Sequence, residues 1–440
     1  MNAPALDITL KPSVKNHLKY AIYLPAIQPQ FAQGVVKTNY TQKLPAGLSV
    51  SDLNYFNLGT RLFRLNAALY SAGNFKNHDV LPPCMISNRV RGKGQHTVVL
   101  GDSGGYQVAT GKLNITPAKR EEIYQWLVRY CDAAMTLDIP VWALDKGTMR
   151  GYNNFSDCLC TTLEHLDAFV DMGARNHRFL NVLHGRTREE SDVWYEAVKG
   201  YGLYGWAIGG GITAPSGRCD NASFSDMLRR IIIMLGDGMF DRDQVWIHFL
   251  GVGDLKTALL LTTLKNTLNN LLPTCAVEIT YDTSSPSQTA RFLSGYCLPT
   301  ISPFSLAYGK EGIDKESWAD NTELLPFKAS AISQYASKGD IILETLGGEY
   351  ITRELAYLIL ENNNVEAMVC SIDAAHQLLN SDLTRDQLNQ IFPYHLLDAQ
   401  DAIEKVLKQK TLIKAQEVLM SPITQLHLGN AYKNVKRIIH

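Results

Sequence analysis

Short apolar runs recur along this chain, each closed by an acid, a histidine or glycine, and each followed by a stretch of helical period. The clearest is Val98-Val99-Leu100-Gly101-Asp102-Ser103-Gly104-Gly105-Tyr106-Gln107, which reads as a buried parallel strand running into a working loop. Upstream, Lys19 to Leu24 predicts a first strand, Leu62 to Ala72 a helix, and Met85 to Asn88 a short strand leading into the basic, glycine-rich loop Arg89 to Gly94. Downstream, Thr116-Pro117 opens a helix that the pattern carries to Leu137, and Val141 to Leu144 predicts a strand ending in Asp145. Helices over Asp157–Met172, Arg188–Tyr201, Ser225–Leu235 and Leu255–Leu272 then alternate with strands ending at His184-Gly185, Gly209-Gly210-Gly211, Gly251-Val252-Gly253 and Asp282.

Strand, loop and helix repeating at roughly 25 to 45 residues is the alternation of an α/β, TIM-like (β/α)8 barrel. A doubly wound sheet would concentrate its glycines in one phosphate-binding turn, whereas here they recur at many strand ends. Beyond about residue 316 the strand pattern fades. Short helices are expected at Lys328–Ser337, Thr352–Glu361, Val365–Leu379, Thr384–Ile391 and Ala399–Gln409, with Thr384 and Gln387 spaced for a capping box and Asn362-Asn363-Asn364 as turn punctuation. The expected organisation is a catalytic barrel over 1–315 and a helical C-terminal extension over 316–440.

Composition narrows the function classes. With 42 Lys plus Arg against 43 Asp plus Glu, no bulk charge advertises a polyanion partner, so contact with nucleic acid must come from local patches. No run reaches the roughly 18 apolar residues of a membrane span, and no secretory signal is evident, so the expectation is a cytoplasmic protein without membrane contact. The 8 cysteines are scattered, which fits reduced thiols better than a disulfide framework. Cys158 and Cys160 have a metal-like spacing but fall on an expected helix, where buried thiols are the simpler reading.

Asp102, Asp145 and Asp282 each end an apolar run, and in a barrel they would meet at one mouth. Two carboxylates across a cavity suit displacement at a sugar anomeric carbon, one attacking while the other moves protons. An acid at a strand end also serves as a helix N-cap, and a glycosidase acting on free sugars would use the same pair.

Asp102-Ser-Gly-Gly-Tyr-Gln107, Ala207-Ile-Gly-Gly-Gly211, Phe249-Leu-Gly-Val-Gly253 and Asp282, in that order, resemble the tRNA-guanine transglycosylases over residues 85–290. The resemblance implies Asp282 as the nucleophile at C1′ and Asp102 as the general acid/base. It further implies Asp145 reading the guanine edge, Tyr106 stacking on the base, and Gln107 with the backbone near Gly210 and Gly211 meeting its carbonyl. His184 stands where the family has a glutamine, as a base contact or a structural residue. The family's zinc module is a Cys-x-Cys-x2-Cys followed by a distant His; only Cys297 and Cys370 follow Asp282, so no zinc and no other cofactor are expected.

After Asp282 the family carries arginines that read an anticodon loop, whereas this chain has Thr283-Ser-Ser-Pro-Ser-Gln288. Retained chemistry with a lost anticodon reader resembles the DpdA-like deazaguanine transglycosylases that modify DNA in bacteria and bacteriophages. The expected activity is therefore exchange of guanine in DNA for a 7-deazaguanine base such as preQ0 on a flipped nucleotide. A divergent tRNA transglycosylase and a non-catalytic nucleic-acid-binding partner are the alternatives. A homodimer is compatible with this reading.

Overall fold

Eight strands buried on both faces form one parallel sheet that curls into a barrel in the computed structural model, which describes residues 20–74, 97–146, 149, 151–209, 223–302, 305–345, 347–393 and 395–430. They are β1 (Ile22–Pro25), β2 (Ala67–Ser71), β3 (Val98–Asp102), β4 (Ala133–Met135), β5 (Phe179–Leu183), β6 (Gly205–Ile208), β7 (Gln244–Phe249) and β8 (Ala276–Thr283). Neighbours pair in sequence order, and β1 pairs with β8. The remaining seam closes through a parallel bridge between Ala26 and Leu69, with the Ile27 N–H donating to the Leu69 carbonyl at 3.0 Å. Closure leaves the eight-stranded sheet itself without an edge strand among the described residues.

The barrel explains the unalternating apolar runs. Ile22, Leu24, Leu69, Leu100, Met135, Leu180, Val182 and Trp246 fill the lumen, while the opposite faces pack outward on the helices. The described helices around the barrel are α1 (Pro29–Gly34), α2 (Gly105–Ala109), α3 (Pro117–Tyr130), α4 (Phe155–Asp171), α5 (Arg188–Val198), α6 (Ser223–Gly236), α7 (Leu255–Leu271) and α8 (Ser285–Arg291).

Two strands sit elsewhere than the pattern predicts. Leu62–Ala72 is not a helix: its second half is β2, buried at every position, so apolar spacing alone does not separate the two states. The helix opened by Thr116 stops at Tyr130 and β4 follows at Ala133–Met135, while Val141–Lys146 is a 3₁₀ turn. The short strand Ala133-Ala134-Met135 has the composition of a helix, and only its pairing with β3 and β5 makes it extended. The expected strand Met85–Asn88 and the basic loop Arg89–Gly94 lie outside the described residues.

Past the barrel come a hairpin, β9 (Tyr296–Ser302) with β10 (Ser305–Glu311), the short α9 (Lys315–Trp318), and a small hairpin, β11 (Ile342–Glu344) with β12 (Tyr350–Thr352). The expected helix at Lys328–Ser337 is reduced to a 3₁₀ turn at Ile332–Gln334. Helices α10 (Ala356–Leu379), α11 (Arg385–Ile391), α12 (Leu396–Leu407), α13 (Leu412–Met420) and α14 (Pro422–Asn430) complete the C-terminal region, and the capping box of Thr384 with Gln387 is present.

The asparagine run is not a turn but the buried middle of α10, which joins two expected helices into one of 24 residues. Each side chain serves a backbone group of another segment. Asn362 Nδ2 donates to the Leu53 carbonyl at 2.8 Å, Asn363 Nδ2 to Cys297 at 3.2 Å and Asn364 Nδ2 to Pro286 at 3.3 Å, while Asn364 Oδ1 accepts from the Cys297 N–H at 2.8 Å. Tertiary hydrogen bonds thereby offset a poor helical propensity. This seam ties α10 to α8, immediately after Asp282.

Candidate active site

The C-terminal ends of the barrel strands bring Asp102, Asp282 and a third acid, Asp138, to one mouth together with His184 and His248. Asp102 ends β3 in register with Ser71 on β2. The next residues turn sharply: Gly104 has φ of 96°, and its N–H donates to Asp102 Oδ1 at 3.2 Å. A Cβ on Gly104 would lie 2.7 Å from the Cα of Gly73, and one on Gly105 would lie 2.3 Å from the Asp138 carbonyl oxygen. The glycine pair thus lets β3 meet the loops after β2 and β4, an approach of backbone to backbone rather than backbone to ligand.

Burial pushes the Asp102 carboxyl up to about 6, the neighbouring Asp138 and Asp282 charges add to the rise, and the Ser71 hydroxyl and Gly104 N–H temper it. Asp102 therefore exchanges a proton near neutrality, as a general acid/base must.

Asp282, near the end of β8, is held differently. Its Oδ1 accepts from the Gly251 N–H at 3.0 Å and from His248 Nε2 at 3.2 Å, and its Oδ2 has no hydrogen-bond partner among the described residues. His248 is fully buried on β7, and its Nδ1 lies 2.8 Å from Thr280 Oγ1, which also accepts from the Trp246 indole N–H at 2.8 Å. A carboxylate oxygen facing Nε2 assigns the ring proton to that nitrogen, so Thr280 donates to Nδ1 and the chain Trp246–Thr280–His248 ends on Asp282. One oxygen is anchored; the other is left for chemistry.

Asp138 lies just beyond β4, and its Oδ2 is 2.6 Å from Nε2 of His184, which follows β5. Both side chains are buried. The His184 ring packs edge-on to Trp194 at 5.0 Å, and a Cβ on Gly209 would lie 2.5 Å from its Nδ1, so Gly209 must remain glycine for the ring to fit. Nδ1 itself is buried without a hydrogen-bond partner among the described residues.

Asp138 was legible: Ala133-Ala134-Met135-Thr136-Leu137-Asp138 is an apolar run ended by an acid, but the preceding helical period ran through it. Asp145, expected as the third acid, falls in the 3₁₀ turn beyond it, with its side chain outside the described residues, as are Gly210 and Gly211. His248 carried no sequence signal beyond its place in an apolar strand.

Tyr106, at the head of α2, is 46% exposed and stacks on Trp142 with ring centroids 5.5 Å apart and planes 16° from parallel. Gln107 Nε2 donates to Asn74 Oδ1 at 2.8 Å, which leaves Gln107 Oε1 buried and unpaired. The site thus presents an aromatic face at Tyr106 and two carboxylates held differently, while Gln107 Oε1 and His184 Nδ1 are sealed beneath its surface. Among the described residues no group of three or more His, Cys, Asp or Glu side chains is placed to hold a metal ion. Cys158 is buried on α4, whereas Cys160 is exposed, so the two do not share a burial state.

The fold and site define a (β/α)8 barrel with paired carboxylates at its mouth. No protein-family model matches the chain, and no curated protein matches it. No helix among the described residues is long and apolar enough to cross a membrane.

Proposed function

We propose that this chain is a base-exchange transglycosylase of the tRNA-guanine transglycosylase type, replacing guanine in DNA with a 7-deazaguanine such as preQ0. The observation that carries the reading is the unequal treatment of two mouth carboxylates: Asp282 with one oxygen anchored and one free, and Asp102 raised to about 6.

Asp282 Oδ2 attacks C1′, the C1′–N9 bond breaks, and its electron pair leaves with guanine, which takes a proton from Asp102. The incoming 7-deazaguanine then returns a proton from N9–H to Asp102, and N9 attacks C1′ to release Asp282. Protons and bonds balance without water. Asp138, oriented by His184, reads the N–H edge of the base in the role expected of Asp145, while Tyr106 stacks on the base and Gln107 packs behind Tyr106, its amide held by Asn74. The target nucleotide enters flipped or single-stranded, because C1′ is inaccessible in a stacked duplex.

DNA is favoured over tRNA because the segment after Asp282 offers few cations. Within α8, Pro286, Ser287 and Thr289 are buried and Arg291 is its sole basic residue.

Incubation with labelled guanine or preQ0 and either DNA or tRNA tests the reading. DNA should take up label and form an adduct that survives a denaturing gel, and Asp282→Ala should abolish both. Label entering tRNA alone would select the tRNA alternative, and full exchange by Asp282→Ala would remove Asp282 from the nucleophile's role.

A further inference from the structure

Tyr106 is not an isolated aromatic. Trp142 lies nearly parallel to its ring with centroids 5.5 Å apart, and Lys112 Nζ stands 5.8 Å from the centre of the same ring. Tyr106 and Lys112 are exposed and Trp142 is half-buried, so an aromatic pair and a cation share one patch of surface beside Asp102. Neither Lys112 nor Trp142 has a part in the chemistry of base exchange.

The patch rests on fixed backbone. Val141 and Ala143, on either side of Trp142, are fully buried and hold the 3₁₀ turn Val141–Lys146 against the core. Across from it, Val108 and Ala109 bury the far end of α2, and the N–H groups of Lys112 and Leu113 both donate to the Gln107 carbonyl, at 2.8 and 3.0 Å. Only the side chain of Lys112 is left to move. A face ordered in this way loses little conformational freedom when a flat ligand stacks on it.

The charge of Lys112 distinguishes this patch from the structural ring contacts elsewhere. Lys37 stands over Tyr40 but pairs with Glu354, and Lys199 stands over Tyr195 but pairs with Glu196 and Asp237. Lys112 has its ring and no ion pair with any described residue.

Stacked rings beside an unpaired ammonium match a single nucleotide strand, whose bases offer flat faces and whose backbone carries a negative charge at every phosphate. A duplex hides those faces in its own stack. An acidic peptide would meet the charge and leave the rings unused. We propose that Lys112 and Trp142 form, with Tyr106, a contact for single-stranded nucleic acid, in which Trp142 backs the Tyr106 ring under the stacked base and Lys112 holds a neighbouring phosphate. Naming the stacked base as the one exchanged rests on the transglycosylase reading; the contact itself requires only an unpaired strand.

Fluorescence anisotropy with the full chain and a short labelled oligothymidylate carrying one guanine, measured over a range of salt concentrations, tests it without a catalytic step. Lys112→Gln should weaken binding about fivefold at about 0.1 M salt and lower the slope of log affinity against log salt by about 0.7, the worth of one phosphate contact on a single strand. Lys112→Arg should restore both, and free guanine should bind Lys112→Gln as it binds the native chain. Trp142→Ala should weaken strand binding about tenfold with the slope unchanged, thermal melts confirming that it folds. The same sequence as a duplex should bind more weakly than the single strand. An unchanged slope in Lys112→Gln, unchanged affinity in a folded Trp142→Ala, or duplex binding as tight as that of the single strand would each overturn the proposal. Absence of label exchange with the salt signature intact would remove the base-exchange reading alone, and exchange with an unchanged slope would remove this contact alone.

Discussion

The imidazole of His248 holds Asp282 by a single oxygen: Nε2 meets Oδ1 at 3.2 Å, and Oδ2 carries no hydrogen bond from any described residue. A carboxylate anchored this way cannot rotate its free oxygen out of line, which is the preorganisation that in-line displacement requires. His248→Ala should therefore slow adduct formation by roughly ten- to a hundredfold, the worth of one hydrogen bond to a charged group. The affinity for free guanine should change little, because His248 contacts Asp282 and not the base pocket. Single-turnover trapping on denaturing gels separates the two effects, and an unchanged trapping rate would remove His248 from its positioning role.

Asp102 gives a pH signature with a defined sign. Its carboxyl titrates near 6 in the folded chain against 3.8 ordinarily, so the folded state holds this proton more tightly than the unfolded state does. The stability it contributes is complete below its unfolded value and is lost as pH rises through about 6. Asp102→Asn should abolish exchange yet melt higher than the native chain at about pH 8, by on the order of 1–3 kcal/mol, with little difference near pH 4. Melts at the two pH values decide this.

The Asp138–His184 pair is buried on both sides, so removing one partner strands the other. Asp138→Ala leaves the buried His184 N–H without an acceptor, so it should cost about 1–3 kcal/mol and eliminate guanine binding. Asp138→Asn keeps the shape and a hydrogen bond, so it should recover much of the stability but not the binding of a base that needs two acceptors. Urea unfolding together with calorimetry on guanine distinguishes these outcomes; tight guanine binding by Asp138→Asn would exclude Asp138 as the base reader.

Glu361 lies fully buried in α10, accepting from Ser287 Oγ at 2.7 Å and from the Tyr55 hydroxyl at 3.4 Å, and burial raises it to about 7. Its protonated form stabilises the fold, so its contribution is present below its ordinary value of 4.5 and is lost as pH rises through about 7. Glu361→Gln should flatten the decline in melting temperature between about pH 5 and pH 7. A decline of the same steepness in the variant would assign the loss to other groups.

Much of the site was open to reading before any fold was known. Val98 to Gln107 announces an acid and a glycine turn after a continuously apolar strand, as a strand buried on both faces requires, and Val277 to Ser285 places Asp282 near the end of a mostly apolar strand. Long-range pairings were not open in this way. Nothing local distinguishes Ala133-Ala134-Met135 from a helix, so Asp138 was masked by the helical period running through it, and Asp145 stood in its place.

The sequence by itself determined the alternation of strand and helix, the barrel class, and the positions of Asp102, Asp282, Tyr106, Gln107 and His184 at strand ends or just beyond them. Only the tertiary structure decided that His184 answers to Asp138, that His248 anchors Asp282, and that three asparagines run through the middle of a buried helix. Those outcomes depend on hydrogen bonds between residues 46, 34 and up to 309 positions apart, and no local propensity encodes a partner at that distance.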